Sequence, residues 1–238
     1  MVAVALLAIV IQTSPVAIAG RSPGGVLARS ETSTSGGRRV RLLVRIDSHP
    51  AIDDVAIADL IANVREIWRP YVEIEFAEAG AEATAVYDDE LRLIVADRLP
   101  RASSATVLGS IEFVDGRPRN TVTVSVAAAR SMMAGGKWLG RPIDAMPRAL
   151  QQRFVTRALS RSAAHEIGHY LLRSRAHAAR GLMRERMTVA EIMDDAPALC
   201  RLLPGEIGRL DQRLAGVLIE APPSDSHDAI VPPRDRKS

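Results

Sequence analysis

Apolar and polar residues are arranged along the first half of the chain in patterns typical of strands and one helix. Residues 40–46 and 71–76 alternate between apolar and polar side chains, and residues 91–96 form a short, mostly apolar run. These patterns predict three β-strands. Residues 50–70 repeat apolar positions at helical spacing and are bounded by a proline at each end. Strand, crossover helix and strand form a βαβ unit, so we expect the first two strands to be parallel.

Two more apolar segments follow and enclose a turn. Residues 105–114 and 121–126 flank the turn-rich residues 115–120, which predicts an antiparallel hairpin. Together with the preceding strands, the hairpin predicts an α+β fold with a mixed sheet of about five strands. The glycine- and methionine-containing residues 130–147 are predicted to form a loop, either the wall or lid of a cleft or a plain connector.

The second half of the chain is predicted to be mainly helical. A long helix begins after Pro147 and carries apolar side chains and two histidines on roughly one face, with its arginines mostly on the other. Residues 174–187 are irregular, and Thr188 and Glu191 fit a capping box that starts another helix. Residues 206–218 are predicted to form a last amphipathic helix. We therefore expect a smaller helical part at the C-terminal end of the domain.

The terminal segments have the composition of targeting and linker sequences. Residues 1–19 carry no charge, and their apolar run is too short to cross a bilayer comfortably. The run ends in small residues up to Ala19, so we predict a signal peptide cut near Ala19. The protein is then expected to be secreted or periplasmic, with no stable membrane insertion after cleavage. The predicted segments are a signal peptide at 1–19, a flexible linker at 20–37, the folded domain at 38–220 and a disordered tail at 221–238.

Composition and charge narrow the classes of partner. Apolar residues make up 47% of the chain and aromatic residues only 3%, which predicts an aliphatic core. The 31 basic and 28 acidic residues are interspersed, so no basic stripe is available to follow a phosphate backbone and nucleic-acid binding is not expected. Cys200 is the only cysteine, so the chain cannot form an internal disulfide. We expect a monomer.

One pattern in the sequence points to metal chemistry, His165-Glu166-Ile167-Gly168-His169. On a helix, His165 and His169 lie one turn apart on one face, so both can direct a ring nitrogen at the same ion. Glu166 lies one residue further round, where its carboxylate can reach a water beside that ion. This H-E-x-x-H arrangement is typical of zinc hydrolases.

The residues around this pattern favour a buried site. Three of the five histidines fall between residues 165 and 177, and the residues next to the motif are small or apolar. The alternative is a core helix with two hydrogen-bonded histidines and no metal. His49 and His227 are predicted to be ordinary surface histidines.

The motif and the residues after it resemble the zincin metallopeptidases, and among them the metzincin group. In those families a third histidine follows, and a methionine in a tight turn underlies the metal. The resemblance implies one catalytic Zn²⁺ with three ligands, His165, His169 and His177. Glu166 would be the general base and Met183 the methionine of the turn. The resemblance also implies a mixed sheet lying over the active-site helix.

The sequence departs from the family pattern at two positions. Leu172 stands where the family has glycine, and Arg175 stands where it has the third histidine. His177 comes two residues later, so we predict that a longer loop delivers it. A competing third ligand is Glu191, which resembles the gluzincin pattern, in which a second helix supplies a glutamate.

These features together predict an exported zinc-dependent endopeptidase that hydrolyses bonds of a peptide or protein substrate. The outer strand of the hairpin is predicted to pair with an extended substrate by strand addition. One alternative is a catalytically silent zincin-fold protein for binding or regulation, with a structural zinc. A further alternative is a metal-free α/β interaction domain.

Overall fold

The computed structural model describes most of the predicted domain and a short segment near the N-terminus. The described residues are 5–8, 40–50, 52–82, 85–100, 107–194 and 197–220. The predicted linker, the predicted C-terminal tail and all of the predicted signal peptide except residues 5–8 lie outside them. The segment boundaries given above therefore stay predictions.

The described residues form one mixed sheet of six strands. In chain order these are β1 (Ala5–Ala8), β2 (Arg41–Ser48), β3 (Glu73–Glu78), β4 (Asp89–Ala96), β5 (Gly109–Val114) and β6 (Arg117–Ser125). Their order across the sheet is β1-β5-β6-β4-β2-β3. Strand β2 is parallel to β3 and β4, and β4 is parallel to β6, whereas β5 is antiparallel to both β6 and β1. The predicted parallel pair, the hairpin and the mixed sheet are confirmed.

Strand β1 covers the outer edge of β5. Ala5 pairs with Phe113 and Ala8 with Ser110, in antiparallel register. These residues lie within the predicted signal peptide and are not among the five predicted strands, so the sheet contains one strand more than the apolar pattern predicts. Without β1, the backbone groups on this side of β5 would be free to pair with another extended chain.

The hairpin between β5 and β6 is tighter than predicted. Only Asp115 and Gly116 form the turn, and both have positive φ, 49° and 78°. An Asp-Gly pair with two positive φ values is the two-residue turn whose twist matches that of the flanking strands. Residues 117–120, predicted to belong to the turn, are therefore part of β6.

The prediction of a loop over residues 130–147 is wrong for its first part. Helix α2 (Val126–Ala134) follows β6 directly, because the Ser125 side chain accepts a hydrogen bond from the Ala128 amide and caps the helix. Met132 and Met133 are buried in the core. A small hairpin of β7 (Lys137–Trp138) and β8 (Arg141–Pro142) and a 3₁₀ turn then complete the connection.

The remaining helices lie where the periodicity predicts them. They are α1 (Asp54–Trp68), α3 (Arg148–Leu172), α4 (Val189–Met193) and α5 (Pro204–Glu220). Helix α3 has 25 residues and contacts β5, β6 and the other four helices. Among the described residues, no helix combines the length and apolar character needed to span a membrane.

Helix α3 is buried all round over its second half rather than on one face. Every residue from Ala158 to Leu172 is buried. The periodicity predicts that the arginines of this helix lie mostly on an outer face, but Arg161 is among the buried residues. Its guanidinium donates to the backbone carbonyls of Glu191 and Asp194 at the end of α4, which compensates for its loss of water.

A hydrogen-bonded carboxylate connects α3 to the sheet and to α5. The Tyr170 hydroxyl donates to Asp89 Oδ1 at 2.6 Å, and Arg213 Nη2 donates to Asp89 Oδ2 at 3.1 Å. Arg213 Nη1 also donates to the Leu171 carbonyl at 3.1 Å. Burial and the bond to Asp89 raise the pKa of Tyr170, so its phenol stays protonated as a donor.

We expect Tyr170→Phe to lower the free energy of unfolding by about 1–3 kcal/mol, because a buried hydrogen bond to a charged acceptor is lost. Tyr87→Phe is the matched control, since the Tyr87 hydroxyl donates to Glu75 Oε2 at the same 2.6 Å from a more exposed position. Its loss should cost clearly less, because water can replace the lost hydrogen bond at this more exposed position. Urea denaturation of both variants measures this; equal losses would contradict the role given to burial.

Candidate metal centre

Helix α3 places the two histidines of the H-E-x-x-H pattern side by side. His165 and His169 are one turn apart and are both fully buried. Their Nε2 atoms lie 2.9 Å from one another. The helical spacing that the sequence predicts for this pair is therefore the observed one.

Backbone carbonyls fix the orientation of both rings. His165 Nδ1 donates to the Leu182 carbonyl at 2.8 Å, and His169 Nδ1 donates to the Ser174 carbonyl at 2.7 Å. A carbonyl oxygen can only accept, so the proton of each neutral ring is on Nδ1 and the lone pair is on Nε2. This is how proteins commonly orient histidines that bind a metal through the other nitrogen.

The loop after α3 brings a third imidazole to the same place. The His177 ring stacks on that of His165, with centroids 5.3 Å apart, and meets that of His169 edge-on at 5.0 Å. One ring nitrogen from each of the three residues lies within 4.8 Å of the other two. His177 Nε2 is buried and has no hydrogen-bond partner among the described residues. The three rings thus form a cluster in which His177 Nε2 is available as a ligand atom.

All three imidazoles are held in the form that binds metal. Burial lowers the pKa of His165 well below its usual value and that of His169 to about 4, and burial also lowers the pKa of His177. The rings are therefore neutral at pH 7. A neutral imidazole keeps the lone pair that a metal ligand needs.

The turn that returns the chain to the cluster does not need the family's glycine. Helix α3 continues through Leu172, which is helical and buried, and Arg173 then adopts the left-handed conformation at φ 46°. The turn is thus made one residue later and by a non-glycine residue, and the extra loop residues bring His177 back. Arg175, at the family's histidine position, instead lies over the Phe113 ring of β5 at 4.8 Å.

Met183 lies directly beneath the turn of α3 that carries His165 and His169. The residues before it turn sharply: Gly181 has φ 82°, and the Leu182 amide donates to the Arg201 carbonyl at 2.9 Å. Met183 is buried, and a Cβ atom on Gly168 would collide with its Sδ and lie 3.0 Å from its Cε. Gly168 therefore allows this close packing, and the same turn supplies the Leu182 carbonyl that orients His165.

Glu166 is an isolated ionisable side chain of the site. It is fully buried, and neither carboxylate oxygen has a hydrogen-bond partner in the part of the chain that the structure describes. Burial raises the pKa of Glu166 well above its usual value. Gly109, the first residue of β5, lies over it, since a Cβ there would be 3.0 Å from Glu166 Cγ. Gly109 is not recognisable as a site residue from the sequence, because a glycine at a strand end has no distinctive local pattern.

Glu191, the competing third ligand, has a different environment. Its carboxylate accepts from the Thr188 amide at 2.9 Å and the Thr188 hydroxyl at 3.0 Å, and it is paired with Arg184. The predicted capping box is therefore confirmed. The cluster of possible ligands found among the described residues consists of His165, His169 and His177 and does not include Glu191.

Comparisons with known proteins add a weak structural likeness. No family model matches this chain, and no curated protein matches it. Among solved structures, the chain is similar to archaemetzincin from Methanopyrus kandleri, with a TM-score of 0.42 and 13% sequence identity. The likeness covers 77% of this chain and 99% of that one. A likeness of this size carries no functional argument, so the interpretation of the site depends on its own geometry.

Proposed function

We propose that the protein is a zinc-dependent peptidase of metzincin-like type, with one zinc ion bound by His165, His169 and His177. The observation that carries the proposal is the convergence of three neutral imidazoles beside a buried carboxyl group that has no partner among the described residues. His177 Nε2 and the two Glu166 oxygens are buried and unpaired within this part of the chain, which is costly unless something binds there. Three imidazole nitrogens are a common ligand set for catalytic zinc.

The side chains of the site have separate tasks in this proposal. Zinc at the three nitrogens would supply Lewis-acid chemistry, polarising the peptide carbonyl and acidifying the attacking water. Glu166 takes the proton from that water as general base and then donates it to the leaving amine. The Leu182 and Ser174 carbonyls keep the imidazoles in position throughout. Met183 and the apolar core below α3 keep water away from the underside of the cluster.

The substrate in this proposal is an extended peptide that pairs with β5. Strand β5 begins at Gly109, above Glu166, so a peptide along its outer edge passes close to the general base. In the structure that edge is paired with β1. Export and cleavage near Ala19 remain part of the proposal, and cleavage would remove the segment that contains β1.

A second candidate function is that of a zinc-binding protein without peptidase activity. The observation that favours it is the complete burial of Glu166, whose carboxylate is not exposed to solvent in the structure. In that case the three histidines would hold a structural zinc. Both candidates predict one bound zinc ion, but only the peptidase predicts turnover of a peptide substrate.

The third ligand is tested by zinc content. We expect wild type to bind one zinc per chain and His177→Ala to lower the zinc affinity by more than about 100-fold, since a direct ligand is lost. Glu191→Gln is the matched control, because glutamine preserves the capping box. Both affinities are measured by competition with a chromophoric chelator. Unchanged affinity in His177→Ala, or a large loss in Glu191→Gln, would make Glu191 the third ligand.

The general base is tested by Glu166→Gln. This variant removes the proton acceptor and keeps the size of the side chain, so we expect zinc content to be unchanged and kcat on a casein or fluorogenic peptide substrate to fall by about 10²–10⁴. Turnover at the wild-type rate in the variant would refute the mechanism. An inactive wild type that still binds one zinc would favour the non-catalytic candidate.

The substrate edge is tested by removing β1. We expect a chain of residues 20–238 to have a several-fold lower KM for peptides than residues 1–238, because the edge of β5 is then free. The control keeps the segment but removes two consecutive backbone donors, with Leu6→Pro and Leu7→Pro in the full chain. This variant should behave like the truncated chain. Equal KM values for all three proteins would show that peptides do not compete with β1.

A further inference from the structure

A second buried polar side chain, next to Glu166, has no partner in the part of the chain that the structure describes. Ser162 lies on α3 one turn before Glu166, so the two side chains share a face of the helix. Ser162 is 1% exposed, and its hydroxyl has no hydrogen-bond partner among the described residues. Such a hydroxyl has lost its hydrogen bonds to water and has gained none within the protein. This destabilises the fold unless the hydroxyl binds another group.

The neighbouring Ser160 shows what a buried serine on this helix does when it has only a structural role. Ser160 is also 1% exposed, and its hydroxyl donates to the Thr156 carbonyl at 2.7 Å, one turn back along the helix. A buried serine on a helix commonly makes this hydrogen bond to the carbonyl four residues earlier. Ser162 does not make the corresponding bond, so its proton is available for another acceptor.

Gly109 shows how close Ser162 and Glu166 are. A Cβ atom on Gly109 would collide with Ser162 Oγ and would lie 3.2 Å from Glu166 Oε1. Both oxygens therefore border the small space that the glycine leaves at the start of β5. The two oxygens are thus neighbours across this space, and neither has a hydrogen-bond partner among the described residues.

We propose that Ser162 is a positioning residue that donates its hydroxyl proton to the Glu166 carboxylate and fixes the orientation of the general base. One carboxylate oxygen is then held by Ser162, and the other is left for the attacking water. The inference rests on the proposed function for the role of Glu166, whereas the contact between the two side chains does not depend on it. Gly109 contributes because it has no side chain that would separate Ser162 from Glu166.

The kinetic experiment compares Ser162→Ala with Ser160→Ala in the zinc-loaded protein. We expect kcat to fall about tenfold in Ser162→Ala, with KM and zinc content unchanged, because one hydrogen bond to a charged group is lost. Ser160→Ala removes the same group from the same helix and should leave kcat within about twofold. A wild-type kcat in Ser162→Ala would overturn the proposal.

A second measurement does not depend on activity. The free energies of unfolding of the metal-free wild type, Ser162→Ala, Glu166→Gln and the double variant form a double-mutant cycle. We expect the two substitutions to be non-additive, and Ser160→Ala with Glu166→Gln to be additive. Additivity for Ser162 would overturn the contact. Non-additivity in a protein that binds zinc but hydrolyses no peptide would support the contact and overturn the proposed peptidase function.

Discussion

The structure depends on burying one end of a polar helix. Every residue of α3 from Ala158 to Leu172 is inside the protein, and this stretch carries two histidines, a glutamate and an arginine. Buried polar groups require partners. The surrounding elements supply them at three places: the end of α4 accepts from Arg161, the turn after Gly181 accepts from His165, and the loop after α3 accepts from His169. Among the described residues, Glu166 and Ser162 have no such partner, and these two exceptions mark the site.

Much of this arrangement was predictable from local pattern. Helix α3, the parallel strands and the capping box at Thr188 follow from periodicity and turn chemistry, because each depends on residues close together in sequence. The extent of burial of α3 was not predictable, since Arg161 looks like a surface residue until α4 closes over it. The same holds for α2, because methionines followed by glycines predict a loop, whereas the structure buries these methionines in a helix.

The site shows the same division between local and long-range information. The spacing of His165 and His169 is a helical property and follows from the sequence alone. The approach of His177 depends on a left-handed turn at Arg173, a residue type that rarely adopts it, so the sequence predicts a longer loop but not its path. No sequence motif identifies Gly109 and Ser162, because the two residues come together only where β5 crosses α3.

The central claim is that three imidazoles hold one zinc ion, and the X-ray absorption spectrum of the zinc-loaded protein tests it most directly. We expect three imidazole nitrogens, each about 2.0–2.1 Å from the zinc ion. Replacing His177 by alanine should remove the scattering of one of the three imidazoles. A spectrum that shows two imidazoles and one protein carboxylate, and that is the same in wild type and His177→Ala, would contradict the assignment of His177 as a ligand. A protein that takes up no zinc would return α3 to the role of a core helix.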